Sequence, residues 1–183
     1  YDESFGFGGA ITKWVKEGVD VYLICATNGD VGTIPDEMKD RFSSIAELRL
    51  SELECASAKL GFKEVFKLGY KDSGMMGDPT IHDEASLWYQ WNHQPQRVTK
   101  DVIKVMRQIK PHVVITFNRY GGYGHPDHIA IQQATHKAWD CVNDPNYDAD
   151  GLPPYQPQKL YYSAFTKFSL QTRIKCARMK GQS

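Results

Sequence analysis

The chain has 183 residues, and its 22 lysines and arginines balance 22 aspartates and glutamates, so the formal net charge is zero. This balance argues against a protein that binds nucleic acid or a membrane surface, because such proteins need a basic excess to neutralise phosphates. A hydrophobic fraction of 41% excludes a disordered chain, and the apolar runs are too short to span a bilayer.

Helix-like and strand-like segments alternate along the chain. Helical spacing of apolar residues predicts helices, and short β-rich runs predict strands buried in a parallel sheet. In chain order we predict a helix over 8–17, a strand over 19–26, a helix over 45–60, a strand over 64–68, a helix over 98–109, a strand over 112–117, a helix over 127–139 and a strand over 159–165. Residues 140–157 are rich in Asn, Asp, Gly and Pro, which predicts a surface loop.

This order of elements predicts the fold class. Strands separated by helices imply right-handed crossovers, and hence an α/β fold with a Rossmann-like, mostly parallel, doubly wound sheet and helices on both faces. In such a sheet the ligand binds beyond the carboxyl ends of the strands. The loops after Ala26, Leu68 and Phe117 occupy that position, so we expect the site there and near the start of the chain.

The strongest local signal is the segment YGGYGHPDH at residues 120–128, which follows the third predicted strand. His125 and His128 are three residues apart at a loop-to-helix junction. This spacing lets both imidazoles reach one metal ion, and Asp127 is placed to orient a ring. A chance pair of histidines is the alternative, but the position at a strand end among glycines favours a functional role.

Three further signals are weak individually. Asp2 precedes a glycine-rich helix start, where it is either a metal ligand or a charge favoured by the helix dipole. A nucleotide-binding loop is a third interpretation there, although neither GxGxxG nor a preceding strand is present. Asp72 begins an Asp-Ser-Gly segment that could simply form a turn. Arg49 and Glu52 have the i, i+3 spacing of a surface ion pair.

Taken in order, these segments resemble the LmbE/PIG-L-like family of zinc-dependent N-acetylglucosaminyl deacetylases. The resemblance rests on Asp-Glu-Ser at 2–4 with the glycines that follow, the Arg49/Glu52 helix, DSGM at 72–75 and GHPDH at 124–128, and it covers about residues 2–165. It implies a hydrolase that removes the acetyl group from an N-acetylated amino-sugar conjugate and releases acetate and the free amine. Zn²⁺, or another divalent metal, is the implied cofactor.

The resemblance also implies roles for residues at the two outer motifs. Asp2 and His128 match metal ligands. His125 matches the histidine that stabilises the developing oxyanion or protonates the leaving amine, and Asp127 would tune that histidine. Tyr123 matches a tyrosine that hydrogen-bonds the tetrahedral intermediate.

Two middle positions match substrate-binding residues, and the opening motif departs from the family. Arg49 and Asp72 match positions that hold sugar hydroxyls. Tyr1 stands where the family has its general-base aspartate, and the histidine of the same motif is absent. We therefore expect residues 1–183 to form a single domain of this family that is truncated at its N-terminus and lacks its first strand, with truncation at the C-terminus left open. A non-catalytic family member that binds a sugar or a metal is the alternative interpretation.

The expected partner is a small amino-sugar substrate, with no nucleic-acid or membrane partner and with homo-oligomer formation left open. The cysteines lack CxxC spacing and the density of a secreted disulfide scaffold. This pattern is typical of reduced thiols in a cytoplasmic protein.

Overall fold

The computed structural model describes residues 2–39, 41–164 and 167–179. Its helices are α1 (Gly8–Lys16), α2 (Asp36–Lys39), α3 (Ile45–Leu60), α4 (Leu87–His93), α5 (Pro95–Ile109), α6 (Gly121–Gly124), α7 (Pro126–Cys141) and α8 (Lys167–Met179). Its strands are β1 (Tyr22–Thr27), β2 (Glu64–Tyr70), β3 (Val113–Thr116) and β4 (Lys159–Tyr162). A π-helical segment, Glu3–Phe7, leads into α1, and a short 3₁₀ helix, Pro79–His82, precedes α4.

The strands pair in parallel, as the alternation of elements predicts. β1 pairs with β2, and β3 pairs with β4. Within the described ranges these are two separate two-stranded sheets rather than one continuous sheet. The α/β class with parallel strands is therefore confirmed. Tyr1 and Phe165, which belong to sequence predictions made above, lie outside the described residues.

Helix α3 shows how the local sequence sets the ends of an element. Ser44 precedes the helix, and its Oγ accepts the amide of Glu47 at 3.1 Å, which satisfies a donor that has no partner within the helix. Gly61 follows the helix with φ +82°, a left-handed conformation that glycine adopts without steric cost. The predicted helix over 45–60 is confirmed with these same ends.

The core lies where α5 packs against α7 and α4. Small side chains on one face of α7 let α5 approach closely, since Ala130, Ala134 and Ala138 recur every fourth position and are fully buried. Val98 and Val102 on α5 are also fully buried in this cluster. Each fully buried valine contributes about 1.5–3 kcal/mol relative to an exposed one.

Helix α7 also contacts both β1 and β3 and so joins the two strand pairs. Its N-terminal end lies at the carboxyl end of β3, where the predicted histidine pair begins. Every helix in the described part of the chain is too short or too polar to cross a lipid bilayer. The cysteines at 25, 55, 141 and 176 are free thiols.

Candidate active site

The loops that follow β1 and β2 are bonded to each other. The amide of Asn28 donates to the carbonyl of Tyr70 at 3.0 Å, and Asp30 Oδ1 accepts the amide of Asp72 at 2.9 Å. Asp72 Oδ1 in turn accepts the amide of Gly74 at 2.8 Å, so the turn predicted at this point exists. It is anchored to the carboxyl ends of both strands.

Asp2 and His128 lie against each other, with Asp2 Oδ2 3.2 Å from His128 Nε2. His128 Nδ1 donates to the carbonyl of Gly121 at 3.1 Å, and the ring stacks on Phe117 with centroids 4.0 Å apart. Because a carbonyl only accepts, this contact places a proton on Nδ1 and leaves Nε2 as the nitrogen available to a metal ion. In the absence of a metal ion, a ring that also carries a proton on Nε2 donates to Asp2, and this hydrogen bond holds the pKa of Asp2 below its ordinary value.

His125 is the N-cap residue of α7, and its Nδ1 accepts the amide of Asp127 at 3.2 Å. An accepting Nδ1 carries no proton, so the neutral ring holds its proton on Nε2. The ring centroid lies 4.9 Å from that of His128. Burial, followed by the charge of His128, lowers the pKa of His125, which favours the neutral ring at neutral pH.

Asp127 is only 5% exposed, in the first turn of α7. Both of its carboxylate oxygens accept hydrogen bonds from Ser73, one from the hydroxyl and one from the amide at 3.0 Å. Burial raises the pKa of Asp127 to about 7, although these hydrogen bonds act in the opposite direction. Asp127 Oδ2 lies 3.9 Å from His125 Nδ1, so an ionised Asp127 would stabilise a protonated His125.

Donor atoms for a cation are concentrated at this edge of the molecule. Within the described ranges, Asp72, His125 and Asp127 each offer one ligand atom, and these atoms lie within 4.8 Å of one another. The Asp2–His128 pair adjoins this group through the contact between the two imidazoles. Imidazole nitrogens and carboxylate oxygens are ligands that zinc takes in proteins. The side chains therefore fit a divalent cation by their chemistry.

Tyr123 stands at the rim of the site and is 56% exposed. Its ring meets both imidazoles edge-on, with centroids 6.1 Å from His125 and 5.1 Å from His128. Partial burial raises the pKa of the Tyr123 hydroxyl, so the phenol remains a hydrogen-bond donor near neutral pH.

Arg49 lies against the loop that follows β1. Its side-chain atoms are 3.3 Å from the points where Cβ atoms of Gly29 and Gly32 would stand, so both glycines make room for it. Arg49 Nη1 bonds Glu52 Oε2 at 3.0 Å, which confirms the ion pair that the spacing predicts. Burial lowers the pKa of Arg49, and the charge of Asp72 opposes that effect. Arg49 and Asp72 thus face the same edge.

Sequence reasoning did not assign three positions that support the site. They are Ser73, the carbonyl of Gly121, and Asn118, whose Oδ1 accepts the amides of Tyr120 at 3.1 Å and Gly122 at 3.0 Å. The Asp-Ser-Gly turn drew attention to Ser73, but no spacing indicates that its partner lies in another loop.

The comparisons with known proteins bear directly on this arrangement. The family model described as PIG-L, GlcNAc-PI de-N-acetylase, matches residues 2–139. The chain belongs to the PIG-L family. The matched segment contains each residue placed at the site above, from Asp2 to His128, and the resemblance stated from the sequence is confirmed.

Curated PIG-L relatives include enzymes named 1D-myo-inositol 2-acetamido-2-deoxy-α-D-glucopyranoside deacetylase. The one from Thermobifida fusca is 34% identical over an alignment of 188 residues, gaps included, which covers 98% of this chain and 63% of the relative. The one from Nocardiopsis dassonvillei is 32% identical over an alignment of 193 residues, which covers 100% of this chain and 65% of the relative. The chain thus spans just under two thirds of the length of these relatives.

Solved structures share the PIG-L fold. The N,N'-diacetylchitobiose deacetylase from Pyrococcus horikoshii superposes with a TM-score of 0.68 at 25% identity, over 97% of this chain and 64% of that one. A 4-carboxy-2-hydroxymuconate hydratase from Pseudomonas putida has a TM-score of 0.61 at 17% identity, over 88% of this chain and 60% of that one. The second likeness concerns the fold alone, and it shows that this fold also carries another reaction.

Proposed function

We propose that the protein is a zinc-dependent N-deacetylase that removes the acetyl group from an N-acetylglucosamine-type conjugate, releasing acetate and the free amine. The observation that carries the proposal is the contact between Asp2 and His128, directly beside His125. It places two ligands of the types that zinc takes next to a group that can hold and move a proton. The names of the relatives agree with this reaction, and the neutral charge agrees with a small substrate.

The metal-binding part of the proposal assigns Asp2 and His128 as ligands. A divalent cation held there would act as a Lewis acid on the attacking water and on the acetamide carbonyl. The hydrogen bond from His128 Nδ1 to Gly121 keeps the ring in one orientation and one tautomer. Zinc is the metal implied by the resemblance, and Asp72 offers a further carboxylate oxygen beside His125.

The proton-handling part of the proposal belongs to His125, Asp127 and Tyr123. With its pKa lowered, His125 is neutral and carries a proton on Nε2, which can donate to the oxyanion as it develops. Tyr123 supplies a second donor from the rim. Delivery of a proton to the departing nitrogen requires the doubly protonated ring. The second proton would be the one that the attacking water loses, and an ionised Asp127 at 3.9 Å stabilises that state.

The substrate-binding part of the proposal assigns Arg49 and Asp72 to sugar hydroxyls. Both lie at the carboxyl ends of β1 and β2, which is the edge where ligands of open α/β sheets bind. Their charges suit hydroxyl groups, which both donate and accept hydrogen bonds. We propose that the site acts in the cytoplasm, where free thiols such as the four of this chain stay reduced.

Acetate release from two acetamido sugars tests the function. The full-length protein is loaded with zinc and given 1D-myo-inositol 2-acetamido-2-deoxy-α-D-glucopyranoside or N,N'-diacetylchitobiose. We expect acetate from at least one of them, loss of turnover after chelation, and recovery when zinc is returned. Zinc bound stoichiometrically without acetate release would instead indicate the non-catalytic, metal-binding alternative.

Substitution of His125 tests the assigned chemistry. We expect His125→Ala to lower kcat about a hundredfold or more, because the variant loses an oxyanion donor and the group that protonates the amine. We expect Tyr123→Phe to lose a similar factor, since one oxyanion donor supplies about 3 kcal/mol. His136→Ala is the matched control, because this histidine also lies on α7 but bonds the hydroxyl of Tyr162 at 2.7 Å. Wild-type turnover in His125→Ala would show that the role is wrongly assigned.

A further inference from the structure

Ser73 lies between the loop after β2 and the first turn of α7, and it is fully buried. Its hydroxyl donates to Asp127 Oδ1, and its amide donates to Asp127 Oδ2 at 3.0 Å. A single residue therefore holds both oxygens of one carboxylate from a distant part of the chain. Two donors on two oxygens fix the plane of the carboxylate as well as its position.

Ser73 is itself fixed by two neighbours. Its Oγ accepts the amide of Trp88, in the first turn of α4, at 2.9 Å. Its carbonyl accepts the hydroxyl of Thr80 at 2.8 Å. Because the Trp88 amide engages one lone pair of Oγ and Asp127 Oδ1 is the acceptor within reach, the hydroxyl proton is directed to Asp127. The serine is thus an oriented donor.

The held carboxylate faces the proposed proton donor. Asp127 Oδ2, the oxygen bonded by the Ser73 amide, is the atom that lies 3.9 Å from His125 Nδ1. The residue before Ser73 is Asp72, which the proposed function places on the substrate. Two consecutive residues therefore serve the site: Asp72 is proposed to bind the substrate, and Ser73 holds the carboxylate of Asp127 that faces His125.

We propose that Ser73 is a positioning residue for the reaction: it fixes the carboxylate of Asp127 and, through it, the ring of His125 relative to the substrate loop at Asp72. This inference rests on the proposed deacetylase function. Both hydrogen bonds from Ser73 end on Asp127, which faces the proposed proton donor His125. Ser73 would therefore affect the rate of turnover as well as the packing of the loop.

Kinetics of Ser73→Ala provide the first test. In the full-length, zinc-loaded protein we expect kcat to fall about ten- to a hundredfold, the range seen when a group that orients a site residue is removed. We expect KM to change far less, since Ser73 is fully buried. Ser57→Ala is the matched control. Ser57 is also buried, on α3, and its hydroxyl has no hydrogen-bond partner among the described residues, so kcat should be unchanged.

A double-mutant cycle with Asp127→Asn separates positioning from packing. If Ser73 acts through Asp127, the effect of Ser73→Ala on kcat shrinks to about twofold or less when Asp127→Asn is already present, and the effects on the free energy of unfolding are likewise non-additive. Equal losses in both backgrounds would overturn the inference. If the Ser73→Ala variant folds only when Asp127→Asn is also present, the coupling between the two residues is supported. If it fails to fold in the wild-type and in the Asp127→Asn background alike, Ser73 has a packing role.

The two proposals fail in different ways. A wild-type protein that binds zinc and releases no acetate from either acetamido sugar refutes the deacetylase function, whatever the behaviour of Ser73. An active wild type with an equally active Ser73→Ala variant refutes the positioning role alone.

Discussion

Gly121 shows how a single residue sets the geometry of the site. It has φ +69°, and its carbonyl accepts the proton of His128 Nδ1. A Cβ at this position would lie 2.8 Å from Ile129 Cγ1 and 3.0 Å from His128 Cβ. Only glycine allows the loop to come this close to the first turn of α7. The orientation of a proposed metal ligand therefore depends on a residue with no side chain.

We expect Gly121→Ala to weaken zinc binding about tenfold or more, because the contact that orients His128 moves. The free energy of unfolding should fall by about 1–3 kcal/mol, the cost of a strained left-handed residue. Zinc affinity by competition titration and urea unfolding measure the two effects.

Gly151→Ala is the control for this substitution. Gly151 also has positive φ, +77°, but a Cβ there meets nothing within 4 Å. It should lose stability through backbone strain and keep its zinc affinity. Equal zinc affinity in Gly121→Ala and wild type would show that the Gly121 carbonyl does not set the ligand.

At the residue scale, the local part of the site is predictable from the sequence and the remote part is not. His125, Asp127 and His128 fall within one turn of helix, so their spacing alone brings them together. Asp2 is a weak candidate from its own surroundings, and the resemblance makes it a metal ligand; the structure places it against His128. Ser73 could not be assigned, since its partner is set by how the loop after β2 meets α7.

At the scale of elements, Arg107 orders the loop that connects α7 to β4. This residue of α5 is 2% exposed, and within the described ranges its guanidinium donates to four backbone carbonyls of that loop. The acceptors are those of Val142 at 2.9 Å, Asp144 at 2.7 Å, Tyr147 at 3.1 Å and Leu152 at 3.0 Å. A segment that the sequence predicts as a surface loop thus receives four hydrogen bonds from one buried side chain.

We expect Arg107→Met to lower the free energy of unfolding by at least about 3 kcal/mol. The substitution keeps much of the side-chain volume, but it removes the donor of four carbonyls. Those of Val142 and Asp144 keep a backbone donor, whereas those of Tyr147 and Leu152 are left without one among the described residues, each costing about 1–3 kcal/mol. Urea unfolding measures the loss. Lys100→Met is the control, because Lys100 pairs with Asp148 and Asp150 of the same loop at the surface, where screening leaves ion pairs little effect. A small loss in Arg107→Met would mean that the loop carbonyls find other donors.

The elements that the sequence predicts correctly are those with a regular apolar pattern. The strand predicted over 64–68 is observed as Glu64–Tyr70, and the helix predicted over 127–139 as Pro126–Cys141. Helix α4 was not predicted, because aromatic residues such as Trp88 and Trp91 have only moderate helix propensity and the helix is short. Its cap, Ser86, was an available signal, since Ser86 Oγ accepts the amide of Tyr89 at 3.3 Å.

At the scale of the whole molecule, the buried carboxyl of Asp127 links stability to pH. Its pKa is raised to about 7 in the folded protein, against an ordinary value of 3.8, chiefly by burial. Between these values the folded state holds the proton more tightly than the unfolded state. The contribution of Asp127 to stability is therefore complete below pH 3.8 and is lost as the pH rises towards 7.

We expect the metal-free wild type to lose free energy of unfolding relative to Asp127→Asn as the pH rises from 5 to 7, by no more than about 1.4 kcal/mol per pH unit. Urea unfolding of both proteins across this range gives the difference. The asparagine variant serves as the reference because it retains the other titrating groups. A difference that is constant over the range would contradict a raised pKa of Asp127.

The contact between Asp2 and His128 has a consequence for folding. These residues stand at opposite ends of the segment that the family model matches, and β1, β2 and β3 lie between them in the chain. Contacts between residues so distant in sequence carry a large entropic cost of loop closure and form after local structure. We therefore expect the proposed metal-binding pair to be completed late in folding. A cation that needs both ligands would then bind only chains in which the strands between them are already paired.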